Sequence, residues 1–115
     1  MHEVALAADI LRMVEVALAQ DRSERVATLR LQAGALAGVE PRSLHVALTA
    51  MSPGTCLAGA QITIDEAPGK AWCRVCNVEV EIRSRIEPCS QCGNPVLQAT
   101  SGTELRVLDL IVFDE

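Results

Sequence analysis

Two Cys-x-x-Cys pairs, Cys73-Arg74-Val75-Cys76 and Cys89-Ser90-Gln91-Cys92, stand twelve residues apart in a chain of only 115 residues. Four thiolates at this spacing close a tetrahedral shell around one zinc ion and leave no coordination position for a substrate. A two-residue gap lets both sulfurs of a pair face one ion from a tight turn. Asn77 and Gly93 directly follow the second cysteine of each pair, and Asn and Gly best tolerate the left-handed backbone such turns require. Metal would supply folding energy that the few apolar residues between Trp72 and Thr100 cannot supply alone. The zinc so read is structural. A redox dithiol is the competing chemistry, and two separate pairs fit it less well than one pair would. Cys56 lies outside the pairs in a turn-like segment and reads as an incidental small residue.

The chain start is the second place where residue types could do chemistry. Met1-His2-Glu3 offers three nitrogens in succession: the α-amine of Met1, the amide of His2 and its imidazole. The amide of Glu3 could complete a roughly planar four-nitrogen set, and such a tetragonal arrangement suits Ni(II) or Cu(II). A cation beside a helix N-terminus is normally disfavoured. Here deprotonated amides would neutralise it, and they come from N–H groups that the first helical turn leaves without partners. The Glu3 carboxylate adds negative charge. The competing reading of a terminal histidine is plain solvation. His45, the other histidine, sits beside Leu44 and reads as a flanking residue rather than a ligand.

The elements that must position these residues follow from hydrophobic spacing. From Val4 to Ala19, the residues Leu6, Ile10, Met13, Val14, Ala17 and Leu18 recur at helical intervals, which predicts a helix beginning almost at residue 1. Val26 to Ala33 alternates, with Ala27, Leu29, Leu31 and Ala33 on one face, and predicts a half-buried strand. Pro41 sits where a first helical residue is favoured, and Leu44, Ala47, Leu48 and Met51 mark one face of a short second helix. Ser52-Pro53-Gly54 ends it. Alternation from Ala58 to Asp65 predicts a second strand, so that strand, helix and strand could form a right-handed parallel crossover.

Ala67-Pro68-Gly69-Lys70 reads as a hinge into the cysteine region, and Ser101-Gly102 as a hinge out of it. Between them Val78 to Arg83 alternates, and Val96 to Ala99 offers it a short partner strand. Leu105 to Phe113 is a nearly continuous apolar run that suits a buried strand. A clipped hairpin alone could not cover it, which places it in the first sheet.

The totals exclude several functions. Ten basic and fifteen acidic residues leave a formal charge of −5, which argues against general affinity for nucleic acid or anionic membrane. Asp9, Arg12 and Glu15 interrupt the first apolar run, so nothing resembles a signal peptide, and no stretch suits a bilayer span. Five cysteines without a secretory signal point to a reducing, cytoplasmic compartment and to metal rather than disulfides. No phosphate-binding loop and no set of nucleophile, base and oxyanion donors is visible, so the chain does not read as an enzyme.

Taken together, the Met1-His2-Glu3 start, Gly34-Ala35-Leu36 ahead of Val39-Glu40-Pro41, the paired cysteines and the apolar last strand resemble the HypA/HybF family of nickel-insertion proteins for nickel–iron hydrogenases. The resemblance runs over essentially the whole length. It implies an α+β protein: a two-helix, three-strand mixed-sheet nickel-binding domain (1–68 plus 103–115) with an inserted four-cysteine, zinc-ribbon-like domain (69–102). It carries transiently bound nickel to His2, with Glu3 and Met1 beside it, and structural zinc to Cys73, Cys76, Cys89 and Cys92. The implied partners are a hydrogenase-maturation GTPase and the hydrogenase large-subunit precursor, with urease a further client in some relatives. Where some members have histidines after the cysteine pairs, this chain has Asn77 or Val78 and Gly93 or Asn94. The two hinges are compatible with a strand-exchanged homodimer. The alternatives from other classes are a zinc-ribbon interaction adaptor without nickel function and, more remotely, a thiol oxidoreductase.

Overall fold

The computed structural model describes residues 2–113. Helix α1 (Glu3–Asp21) buries Ala7, Ile10, Val14 and Leu18, a stripe with spacing of three, four and four residues. The stripe is narrower than the sequence suggests, because Met13 and Ala17 face solvent and the small Ala7 takes a core position instead. The helix closes at Arg22, whose backbone is left-handed (φ 59°), with Ser23 N–H donating to the Leu18 carbonyl at 3.0 Å.

Strand β1 (Val26–Gly34) buries Leu29, Leu31 and Ala33 and exposes Arg30, as alternation requires. Helix α2 (Pro41–Met51) starts at a defined cap: the Glu40 carboxylate accepts Arg42 N–H at 2.7 Å and Ser43 N–H at 3.3 Å, and Pro41 fills the first helical position. A carboxylate there also complements the helix dipole. Leu44, Ala47 and Leu48 are buried, and α2 packs against α1. Each fully buried leucine contributes roughly 1.5–3 kcal/mol relative to exposure.

Strand β2 (Gln61–Ala67) begins three residues later than the alternation from Ala58 implies. Residues 55–59 are turns instead, with Ala58 N–H on the Thr55 carbonyl and Ala60 N–H on the Leu57 carbonyl, because Leu57 is buried and pins the turn to the core. The remaining strands are β3 (Gly69–Cys73), β4 (Val78–Ile82), β5 (Gln98–Ser101) and β6 (Leu105–Val112).

The first sheet has the order β2-β1-β6. Val26 N–H meets the Cys56 carbonyl at one end of β1 and Ala35 N–H meets the Ala67 carbonyl at the other, so β1 and β2 run parallel. Gly34 N–H on Glu104 O and Phe113 N–H on Arg25 O make β6 antiparallel to β1. This is the expected mixed three-strand sheet of an α+β fold, with the strand–helix–strand crossover in it. The last strand does lie in the first sheet, but at its edge. Val107, Ile111 and Phe113 are exposed on one face while Leu108, Leu110 and Val112 are half-buried on the other. A continuous apolar run cannot distinguish an edge strand from a fully covered one.

The second sheet has the order β4-β3-β5 and is antiparallel, with Cys73 opposite Val78 and Ala71 opposite both Val80 and Ala99. Its central strand starts inside the segment, Ala67 to Lys70, that the sequence presents as a hinge. Residues 98–101 pair with β3 and not with β4. The reason is that β3 turns only Gly69, Ala71 and Cys73 inward, too small a set to write a strand pattern into the sequence.

The chain forms two compact units, one of residues up to Leu31, Glu40–Ile64 and Val107 onward, the other of Gln32–Val39 and Asp65–Arg106. The second has its own core of Leu36, Ala71, Cys73, Val80, Ile82 and Cys89. Backbones cross closely there: a Cβ on Gly69 would lie 2.6 Å from the Ile82 carbonyl oxygen, and one on Gly34 would run into the Gly102 carbonyl. No helix among the described residues is long and apolar enough to cross a membrane.

Candidate metal centre

Cys73 ends β3, so the strand delivers it into the core of its unit, and the chain then turns sharply through Arg74–Cys76. Asn77 N–H bonds back to the Cys73 carbonyl at 2.8 Å, with Asn77 in left-handed backbone at φ 57°. The second turn repeats the first: Gly93 N–H reaches the Cys89 carbonyl at 2.8 Å, with Gly93 at φ 78°. In each turn a backbone N–H also points at the leading sulfur, Cys76 N to Cys73 Sγ at 3.5 Å and Gln91 N to Cys89 Sγ at 3.4 Å. The left-handed residues after each pair are therefore what the sequence reading expects of them.

The turns face each other. All four sulfurs lie within 4.8 Å of one another, with Cys73 Sγ and Cys92 Sγ 3.6 Å apart and Cys76 Sγ and Cys89 Sγ 4.0 Å apart. Zinc–sulfur bonds of 2.3 Å in a tetrahedron place sulfurs about 3.8 Å apart, so the cluster fits such an ion without rearrangement. Its electrostatics fit as well. The Cys76 backbone N–H holds the Cys73 thiol down at about 6, while hydrogen bonding with Cys92 and burial push Cys76 up to about 12. Four sulfurs this close cannot all be thiolates unless a cation sits among them. Two independent redox dithiols would not converge on one point.

Asn94, a residue that the cysteine spacing does not single out, completes the second turn. Its backbone carbonyl accepts Cys89 N–H at 2.9 Å, its Oδ1 accepts Val96 N–H at 3.1 Å, and its Nδ2 lies 3.8 Å from Cys73 Sγ. The Asn94-Pro95 dipeptide is the sequence signal for such a turn, but nothing local shows that its amide reaches a sulfur in the other turn.

At the start of α1, the His2 side chain is 54% exposed, and its backbone carbonyl accepts Leu6 N–H at 2.9 Å. His2 Nδ1 lies 3.8 Å from Glu3 Oε2. The same carboxylate oxygen accepts Glu40 N–H at 3.2 Å, which ties the start of α1 to the cap of α2. That N–H is the chief reason the Glu3 carboxyl sits below its usual range, so Glu3 is ionised at neutral pH. Met1, the third residue of the expected set, lies outside the described residues. His45 is occupied elsewhere: its Nε2 bonds the Ile62 carbonyl at 3.0 Å, and Thr49 Oγ1 lies 3.5 Å from its Nδ1. Cys56 is half-buried, and burial with the nearby charge of Glu15 pushes its thiol up, which leaves it protonated and unreactive.

Comparison with known proteins places this architecture. The family model described as "Hydrogenase/urease nickel incorporation, metallochaperone, hypA" matches residues 1–112. The hydrogenase maturation factor HypA of Cupriavidus necator is 53% identical over 114 residues, covering 99% of this chain and 96% of the relative. That of Polaromonas naphthalenivorans is 49% identical over the full length of both chains. The solution structure of the Ni metallochaperone HypA from Helicobacter pylori superposes with a TM-score of 0.69 over all of both chains at 16% identity, and so shares the fold. The chain belongs to the HypA family, the nickel metallochaperones of hydrogenase maturation.

Proposed function

We propose that the chain accepts Ni(II) as cargo at its first residues and uses the four cysteines for a resident structural Zn(II). The Met1 amine, the His2 amide and imidazole and the Glu3 amide are the cargo donors, and the Glu3 carboxylate supplies compensating charge. The observation that carries this reading is the pairing of an exposed His2 imidazole with a Glu3 carboxylate that the Glu40 N–H holds in place. An open site at a chain end suits transfer, because a receiving protein can displace its donors one at a time. Cys73, Cys76, Cys89 and Cys92 fill all four positions of their ion and leave none for exchange. The zinc contributes folding energy to the second unit and no chemistry.

The receiving side we infer is the maturation GTPase and the hydrogenase large-subunit precursor, in the cytoplasm, with the chain acting as carrier and not as catalyst. An apolar groove lined by Val4, Val46, Ala47 and Ala50, with Glu3 and Arg42 at its rim, lies beside the cargo donors and supports docking there. The family match sets aside the adaptor reading without nickel function. The test is a nickel titration of zinc-loaded protein with its native N-terminus, against His2→Ala and against a chain extended by two residues before Met1. Both variants should lose at least tenfold in nickel affinity while keeping their zinc. Unchanged affinity in both would remove the nickel site from this end.

A further inference from the structure

The two cysteine turns are not equivalent in what surrounds their sulfurs. Cys73 is fully buried and Cys89 nearly so, whereas Cys92 is exposed. Backbone N–H groups serve the two leading sulfurs from within their own turns. Apart from the sulfurs themselves, it is Asn94 whose side chain crosses from one turn to a sulfur of the other, from the second turn to Cys73 of the first.

The orientation of that amide is determined by its other partner. Val96 presents an N–H, which only an acceptor can meet, so Oδ1 faces Val96 and the NH2 group faces Cys73. The backbone carbonyl of the same residue accepts Cys89 N–H. Asn94 therefore closes its own turn with two oxygens and has a donor left over, aimed across the cluster. A donor to a metal-bound thiolate spreads its charge, lowers its affinity for protons and holds it in register with the ion.

We propose that Asn94 is a positioning residue of the cysteine metal centre: its side-chain N–H locks Cys73 as the anchoring thiolate and slows loss of the metal. The proposal rests on the four-sulfur reading of that centre. Cys92, open to solvent, is then the sulfur at which a competing chelator or a proton attacks first, and the Asn94–Cys73 link is what lets the released ligand return before the ion departs.

Three variants separate this role from turn formation. Asn94→Ser keeps a hydroxyl acceptor for Val96 N–H but is too short to reach Cys73. Asn94→Asp keeps the acceptor and replaces the donor by a carboxylate facing a thiolate. Asn94→Ala removes both. The full-length protein would be loaded with Co(II), its thiolate-to-cobalt bands recorded, and the release of Co(II) and then Zn(II) to excess chelator timed. Ser and Asp variants are expected to release metal about 10–100-fold faster than the native chain, Asp at least as fast as Ala. Native-like release from both Ser and Asp, with only Ala impaired, would show a turn residue and overturn the proposal. Native release from all three would do the same. A native protein whose cobalt spectrum lacks four-sulfur intensity would instead sink the centre itself, which is a different failure.

Discussion

Cys73 and Cys89 have at most 3% of their surface exposed, whereas the His2 side chain keeps 54%. The cysteine centre draws its sulfurs from two turns, buries the leading one of each and satisfies it with backbone donors. At the start of α1 the His2 imidazole stands in water, while the neighbouring Glu3 carboxylate is held by the Glu40 N–H. The first arrangement resists exchange, since Cys73 and Cys89 are part of a core. The nickel site we propose at the start of α1 would permit it, since displacing an exposed imidazole disturbs little packing. On that proposal one chain carries a site suited to retention and a site suited to delivery, and burial is the variable that separates them.

Stripping the metal at neutral pH should be the heaviest blow to this contrast. A structural zinc contributes on the order of 10 kcal/mol to folding, so amide protection at Ala71, Val80 and Ile82 should vanish while that at Leu29 and Leu48 persists. Retained protection in the cysteine unit would mean that its own core suffices. Next in size is Leu36→Ala. Leu36 precedes Cys73 by a long stretch of chain, yet it is buried in the cysteine unit's core, so its truncation should cost about 2–5 kcal/mol, read as lower thermal resistance of metal retention. A loss confined to the helices instead would assign Leu36 to the wrong unit.

Glu3→Gln sharpens the other side. The amide oxygen can still accept Glu40 N–H, so α1 and α2 should stay joined while nickel affinity falls by a few-fold; equal affinity would deny the carboxylate any part in charge compensation. The smallest effect is a pH limb. Glu3 is held below its ordinary value of 4.5 by the Glu40 N–H, so its contribution is fully present above that value and is lost as pH falls through the lower folded one. The Glu40 amide resonance should therefore be flat from pH 7 to 5 and move only in stronger acid. Movement within that range would show that Glu3 is not the controlling group.

Local pattern was enough for α1, β1 and α2, where apolar spacing and the Glu40-Pro41 cap are written into adjacent residues. It was also enough for the two cysteine turns, whose spacing and following Asn77 and Gly93 state both the chemistry and the backbone. It failed at β3, which turns only small residues inward, and at β6, whose apolar run reads as buried although it forms an edge.

By itself, then, the sequence determined the residue types at hand: four sulfurs in two tight turns, and a histidine followed by a carboxylate at the start of the first helix. Their chemistry is intrinsic, and their spacing within each turn is local. Only the tertiary structure decided which turn faces which, that Glu3 is held by the amide of Glu40, that Leu36 belongs to the cysteine core, and that Asn94 aims its amide at Cys73. Those are contacts between residues far apart in the chain. They exist because packing brings the segments together, and no period or spacing along the sequence encodes them.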